Sequence, residues 1–305
     1  MHFQITILYY LKCGVSTLIT DKKIMESQLL QIRDQQKEIW NRFSPGWKKW
    51  DDLTMDFLRP MGDQIIKILH PHDTDVVLDI AAGTGEPGLS IASKLNGGIV
   101  VITDVSEGML DVARENASRR GIKNVEFSVC DVSELPFPDN SFDLISCRFG
   151  FMFFPDMKLA AKEMLRVLKP GGKIATAVWN VPEKNFWASA ALNVINRHVV
   201  LPPPVAGAPG LFRCAEKNLV AQILRDAGFI KVTENVSDGK LTTGTTEVYW
   251  SFMTEVVAPV VAALSKADDK TRDKIKSEVF EAVEQRYPNG KVAIDCSALV
   301  INGEK

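Results

Sequence analysis

The sequence has little net charge and few of the residues that build metal sites or disulfide frameworks. Its 36 Lys and Arg against 38 Asp and Glu leave a formal net charge of −2, which gives no electrostatic basis for binding nucleic acid or an anionic membrane surface. There are only four His, and the five Cys form no C-x-x-C pair, so no metal site is predicted. Scattered Cys of this kind are typical of a reducing compartment, and we therefore expect a cytoplasmic protein.

A long uninterrupted apolar run is also missing. The apolar stretch over residues 1–20 contains Lys12 and Gly14, and it has neither the positively charged start nor the small-residue cleavage site of a signal peptide. No membrane span is therefore expected. We interpret residues 1–24 as an N-terminal extension ahead of a start at Met25.

What the chain does have is a regular alternation of strand and helix patterns. Five short apolar runs, the first at Val76 to Leu78, alternate with helices that are apolar along one face. This alternation predicts parallel βαβ units. With two later strands, over 230–236 and 292–301, the predicted fold class is α/β: a doubly wound, mostly parallel, seven-stranded Rossmann-like sheet with a helical cap insertion.

The organisation predicted from these patterns has four segments after the extension. We expect a helical lid over 25–70, a cofactor-binding core over 71–182, a helical cap or substrate insertion over 183–228, and strands and helices over 229–305 that complete the sheet and the cap. Within the lid, Pro45 and Gly46 predict a turn. Within the last segment, Pro259 predicts a kink or break in a helix over 248–264.

The most informative stretch is the turn that follows the first strand. Gly83, Gly85 and Gly88 spell G-x-G-x-x-G, and Asp104 lies 104 − 83 = 21 residues after the first of them. This matches the fingerprint of dinucleotide-binding folds, in which an acid about 20 residues on binds the ribose. An NAD(P)-dependent oxidoreductase is therefore one interpretation of the chain.

Acidic residues at the ends of three successive strands favour a different cofactor. Asp79 precedes the turn, where a carboxylate would repel a pyrophosphate and attract a cation. S-adenosylmethionine carries an ammonium, a sulfonium and a ribose diol, and no phosphate. Asp104 can accept hydrogen bonds from both ribose hydroxyls, and Asp131 can accept one from the adenine amine. The three acids together predict S-adenosylmethionine.

With these motifs the chain resembles the class I S-adenosylmethionine-dependent methyltransferases, particularly the group similar to the ubiquinone/menaquinone-biosynthesis C-methyltransferases. The matching stretches are 77–85, 104–109, 131–143 and 165–172, in the family's order and spacing. The resemblance implies that the turn passes under the methionine portion, and that the cofactor is bound by Asp79, Ala81, Gly83, Thr84, Gly85, Asp104, Val105, Met109, Asp131, Val132 and Arg148.

One position departs from the family pattern. Ala81 stands where the family usually has glycine. Its methyl group fits if the residue keeps a negative φ, although it narrows the approach of the backbone to a ligand.

The sequence also predicts the character of the methyl acceptor. Because a sulfonium is already a good leaving group, alignment and exclusion of water can supply most of the catalysis, and a general base is optional. The candidates for a catalytic side chain are Arg148, His198 and Tyr249. Aromatic residues after Trp179 predict either a cap over a small apolar or aromatic molecule, methylated on O, C or N, or simply a core between cap and sheet. A non-catalytic protein that retains the fold stays open, as does the oligomeric state.

Overall fold

A seven-stranded sheet with helices packed against it forms the centre of the protein. The computed structural model describes residues 27–200 and 207–305, and the predicted extension over 1–24 lies outside them. Strand order is β3-β2-β1-β4-β5-β7-β6, and only the pairs that β7 makes with β5 and β6 are antiparallel. The predicted fold class is thus confirmed. The strands are β1 (Val76–Ile80), β2 (Ile99–Asp104), β3 (Val125–Val129), β4 (Phe142–Arg148), β5 (Leu168–Trp179), β6 (Ile230–Gly244) and β7 (Val292–Glu304).

The helices connect these strands and cover the sheet. The first, α1, runs over residues 27–49. It is followed by α2 (Asp51–Leu69), α3 (Gly88–Ala92), α4 (Glu107–Arg119), α5 (Met157–Val167), α6 (Phe186–His198), α7 (Leu219–Ala227), α8 (Thr246–Val256), α9 (Ala258–Leu264) and α10 (Asp269–Arg286).

The predicted turn at Pro45 and Gly46 is wrong, because α1 continues through both residues. Proline removes the backbone N–H that would bond to the carbonyl of Asn41. The hydroxyl of Ser44 donates to that carbonyl instead, at 3.0 Å. The backbone N–H of Trp50 then bonds to the carbonyl of Gly46 at 3.0 Å, so the helical path resumes after the proline.

The predicted break at Pro259 is confirmed. α8 ends at Val256, α9 begins at Ala258, and the two helices are bent by 88°. Within the described ranges no single helix has the length and hydropathy needed to cross a membrane; α8 and α9 together meet that test only as this bent pair.

The turn after β1 is held from beneath by Asp79, which is completely buried. Its carboxylate accepts hydrogen bonds from the backbone N–H of Gly88 at 2.7 Å and from the hydroxyl of Ser146 on β4 at 2.6 Å. A Cβ on Gly88 would lie 2.7 Å from the same carboxylate oxygen, so only glycine permits this approach. Desolvation by burial raises the pKa of Asp79 to about 7.

Ala81 occupies the left-handed region of the backbone map, with φ 53°. The condition under which its methyl group fits without strain, a negative φ, is therefore not met. The turn fixes this conformation: the N–H of Ala82 bonds to the carbonyl of Thr103 at 3.0 Å, and the Thr103 hydroxyl donates to the Asp79 carbonyl at 3.0 Å. A residue with a Cβ is strained at such a φ.

We expect Ala81→Gly to raise the free energy of unfolding by about 1 kcal/mol. Relief of the left-handed strain, about 1–2 kcal/mol, outweighs the extra entropy that glycine gives the unfolded chain. Urea denaturation would measure the change. The matched control is Ala82→Gly, which relieves no positive φ and should lower stability; an equal loss in both variants would contradict the prediction.

We expect Asp79→Asn to change the pH dependence of stability. The pKa of Asp79 is about 7 in the folded chain, against an ordinary value of 3.8 for an aspartate in water. The unfolded chain therefore releases this proton from about pH 4 upward, whereas the folded chain keeps it to about pH 7. Across that window Asp79 costs the wild type up to about 1.4 kcal/mol of stability per pH unit.

Asparagine does not ionise, and it can still accept from Gly88 and donate to the Ser146 oxygen. The stability of Asp79→Asn relative to wild type should therefore increase between pH 5 and pH 8, as measured by urea unfolding at both pH values. Asp63→Asn, at an exposed position of α2, is the control. If the difference in stability between Asp79→Asn and wild type does not vary with pH, then burial does not raise the pKa of Asp79.

Candidate functional site

A large cavity opens at the carboxyl ends of β1, β2 and β4. It measures about 1370 Å³ when the open space at its mouth is included. The sheet reverses its strand order between β1 and β4, and open α/β sheets bind ligands at such a switch point. The cavity therefore lies where the sequence predicts the cofactor.

Asp104 joins the glycine turn to the start of α4 at one end of the cavity. One carboxylate oxygen accepts from the N–H of Gly83 and the other from the N–H of Ser106, both at 2.9 Å. Desolvation by burial raises the pKa of Asp104. Each oxygen keeps a free lone pair, so the carboxylate can still accept hydrogen bonds from two neighbouring hydroxyls, as a ribose diol requires.

The segments after β2 and β3 supply the adjoining wall. Ser106 caps α4 by accepting from the N–H of Met109, and this places Met109 on the cavity beside Val132. Asp131 accepts from the N–H of Ser133 at 2.8 Å, and its other oxygen lies 4.0 Å from the Nε of Arg33. A flat apolar contact next to a carboxylate suits a purine ring with an exocyclic amine.

The cavity brings together most of the predicted cofactor residues. Those that line it are Ala81, Gly83, Asp104, Val105, Met109, Asp131, Val132 and Arg148. Asp79, Thr84 and Gly85 are not among the described residues that line it. Asp79 lies beneath the turn, and the Thr84 carbonyl accepts from Asn116 on α4 at 3.0 Å. These three residues lie behind the turn and shape it. The resemblance implied instead that they bind the cofactor.

Glu86 is an acid of the cavity that the sequence analysis missed. One of its oxygens accepts from the N–H of Ser90 at 3.1 Å, and the other pairs with Arg120. It lines the cavity beside the glycine turn, where Asp79 was expected to act. The sequence feature that could have identified Glu86 is its position directly after Gly85, because an acid there can face a ligand that lies on the turn.

Arg148 extends from the end of β4 into the wall between the cavity and α2. It is buried, and its contacts are the Leu58 carbonyl at 3.4 Å and the Met55 sulfur at 3.6 Å. Within residues 27–200 and 207–305, no carboxylate lies within 4.0 Å of it. Desolvation by burial lowers its pKa, against the opposing influence of Glu86 and Asp79. A buried cation so weakly bonded can accommodate an anionic oxygen.

Aromatic rings form the far side of the cavity. Phe149 stacks on Trp179 at 4.2 Å between ring centroids, and Phe57 stacks on Trp179 at 5.5 Å. Trp187 meets Phe57 edge-on at 5.2 Å, and Phe252 also meets Phe57 edge-on. All five rings line the cavity. Trp187 and Phe252 are among the aromatic residues after Trp179 for which the sequence predicts either a cap or a core. The sequence analysis missed Phe57 and Phe149, which come from α2 and from the segment after β4.

Helix α1 covers the cofactor end. The side-chain oxygen of Asn41 accepts from the Ser106 hydroxyl at 2.7 Å and from the N–H of Gly108 at 3.1 Å. This contact ties α1 to the start of α4. Four other α1 residues line the cavity, namely Arg33, Gln36, Trp40 and Trp47.

The end of α1 is also joined to α8. A Cβ on Gly46 would collide with the backbone carbonyl of Glu255, so the two backbones meet there. The Glu255 carboxylate accepts from Lys49 at 2.6 Å and from the indole N–H of Trp50 at 2.9 Å, and the Lys49 bond lowers its pKa. Residues 256–259, at the corner of α8 and α9, line the cavity directly after this junction.

Two of the three predicted catalytic candidates lie elsewhere. His198 is at the end of α6, where its Nε2 lies 2.7 Å from a carboxylate oxygen of Glu278 on α10. Tyr249 is completely buried and donates to the Trp187 carbonyl at 2.8 Å. Neither is among the described residues that line the cavity. Packing between cap helices explains both side chains, and only Arg148 reaches the cavity.

Comparison with known proteins gives the family. The methyltransferase domain family matches residues 77–172. The chain is 40% identical over 116 residues to a ubiquinone/menaquinone biosynthesis C-methyltransferase of Cellvibrio japonicus, covering 37% of this chain and 47% of that protein. It is 32% identical over 172 residues to a demethylmenaquinone methyltransferase of Listeria monocytogenes, covering 56% of this chain and 71% of that protein.

A solved structure has a similar fold. The YcgJ protein of Bacillus subtilis superposes with a TM-score of 0.52 at 22% identity, over 80% of this chain and 97% of that one. This likeness concerns the fold alone. The Listeria relative, of which the chain covers 71%, and the matching methyltransferase domain give the family. The chain belongs to the class I S-adenosylmethionine-dependent methyltransferases.

Proposed function

We propose that the protein transfers a methyl group from S-adenosylmethionine to a small aromatic molecule held in the aromatic half of its cavity. The observation that carries this proposal is that one cavity has two different walls. Acids and the glycine turn line one end, and five aromatic rings line the other. When bound, S-adenosylmethionine supplies a methyl group on a positively charged sulfur.

The residues of the cavity fit the chemical groups of S-adenosylmethionine. The free lone pairs of Asp104 match two hydroxyls, Asp131 matches an amine, and the carboxylate of Glu86 favours an ammonium over a phosphate. Arg148 has the charge to receive an anionic oxygen. The aromatic wall and α1 cover the cavity on two sides, and the exclusion of water by bound reactants strengthens each of these interactions.

The relatives suggest an aromatic carbon as the atom that is methylated. The two curated relatives are described as a C-methyltransferase of ubiquinone/menaquinone biosynthesis and a demethylmenaquinone methyltransferase. By analogy, a fused aromatic ring that bears oxygen is the favoured substrate class here. A ring carbon next to a negatively charged oxygen is nucleophilic, and the buried charge of Arg148 would stabilise that oxygen. After the methyl transfer, the methylated ring carbon releases its proton to water, and the ring becomes aromatic again.

The test is to incubate the protein with S-adenosylmethionine that carries a labelled methyl group and with a panel of phenols, naphthols and amines. We expect label in an oxygen-bearing aromatic product, located by mass spectrometry. Titration with NAD(H) is the control for the oxidoreductase alternative. Binding of S-adenosylmethionine without transfer across the panel would favour a non-catalytic protein that retains the fold.

We expect Asp104→Ala to weaken binding of S-adenosylhomocysteine by about 1–3 kcal/mol, because two charge-assisted hydrogen bonds are lost. Isothermal titration calorimetry would measure the dissociation constant. The matched control is Asp111→Ala, which removes an exposed acid of α4 that pairs with Arg114; its dissociation constant should not change. A folded Asp104→Ala variant with wild-type affinity would exclude Asp104 from the site.

A further inference from the structure

The hydroxyl of Thr54 is buried in the cavity wall without a hydrogen-bond partner. Thr54 lies on α2, is 1% exposed, and lines the cavity. Within the described parts of the chain nothing bonds to its Oγ1. A threonine in a helix can bond to the carbonyl four residues earlier. Here that carbonyl, on Trp50, accepts from the N–H of Thr54 at 2.8 Å, and the hydroxyl is left free.

The position of Thr54 assigns it to the substrate half of the cavity. Phe57 and Leu58 follow it at i+3 and i+4 on the same face of α2, and both line the cavity. Phe57 stacks on Trp179 at the end of β5. Helix α2 contacts β4, β5, β6 and β7, and only its start, at Asp51, bonds to α4 among the described residues.

A second donor on the adjoining helix has the same property. The indole N–H of Trp47 is buried, has no partner among the described residues, and belongs to a residue of the cavity wall. An indole N–H can only donate, and a hydroxyl can donate or accept. A buried polar group without a partner costs free energy, and most such groups in native proteins are satisfied. Two of them in one ligand cavity indicate that a bound molecule supplies the oxygen.

We propose that Thr54 is a specificity-determining residue, whose hydroxyl donates to an oxygen of the methyl acceptor and so selects oxygenated rings over plain aromatic ones. This rests on the proposed function. The carboxylate of the cofactor's methionine portion could also accept a hydrogen bond from this hydroxyl. The experiment distinguishes an oxygen of the methyl acceptor from an oxygen of the cofactor.

The probes are 1-naphthol and naphthalene, which differ by one hydroxyl, titrated by calorimetry into protein saturated with S-adenosylhomocysteine. We expect wild type to bind 1-naphthol about three- to tenfold more tightly than naphthalene, the range of one neutral hydrogen bond. Thr54→Val, which keeps the shape, should lose most of this preference, and what remains is the contribution of Arg148. Thr54→Ser, which keeps the hydroxyl, should retain the preference.

Thermal unfolding of the ligand-free variants gives a second readout. Thr54→Val replaces an unpartnered buried hydroxyl with a methyl group, so its melting temperature should equal or exceed that of wild type. A hydroxyl with a merely structural role would give the opposite sign.

Four outcomes would overturn the inference. They are a wild type that binds neither probe or does not distinguish them, an undiminished preference in Thr54→Val, a lower melting temperature for that variant, and weaker S-adenosylhomocysteine binding in that variant, which would assign the oxygen to the cofactor. Failure of wild type to bind S-adenosylhomocysteine would instead refute the proposed function.

Discussion

The buried carboxylate of Asp79 is the constraint on which the ligand site depends. It connects the start of α3 to the end of β1 and to the neighbouring strand β4 of the sheet. A carboxylate placed there has lost its water, and only the two donors compensate for that loss. The geometry of the glycine turn therefore follows from hydrogen bonding beneath it, and the ligand meets backbone that is already in place. Any molecule that lies on this turn is recognised through the main chain first and through side chains second.

The same constraint explains the left-handed Ala81. The turn must bring the chain from β1 across to the carboxyl end of β2, where Asp104 receives the N–H of Gly83. Ala81 takes the backbone conformation that connects these two fixed points, although it has a side chain. A strained residue at a ligand site indicates that the surrounding hydrogen bonds determine its conformation.

Much of this arrangement could be predicted from the sequence, because it follows from periodicity and from local turn chemistry. The strands, their parallel pairing and the acids at their ends are properties of short segments, and Asp104 and Asp131 do line one cavity. The roles of Asp79 and Glu86 could not be separated, since both are acids beside the same turn. Burial decides between them, and burial depends on what packs from elsewhere in the chain. Phe57 and Thr54 were missed for the same reason, because a helical pattern does not reveal which part of its apolar face borders empty space.

The contact between Gly46 and Glu255 has a mechanical consequence. Helix α1 lies over the cofactor end, and the corner of α8 and α9 lies over the aromatic end. At Gly46 the two backbones touch with no side chain between them, and Lys49 and Trp50 both bond to the same glutamate. A movement of α1 that uncovers Asp104 must therefore displace the α8–α9 corner as well. Entry of donor and acceptor, and departure of the spent donor and the methylated product, are therefore geometrically linked.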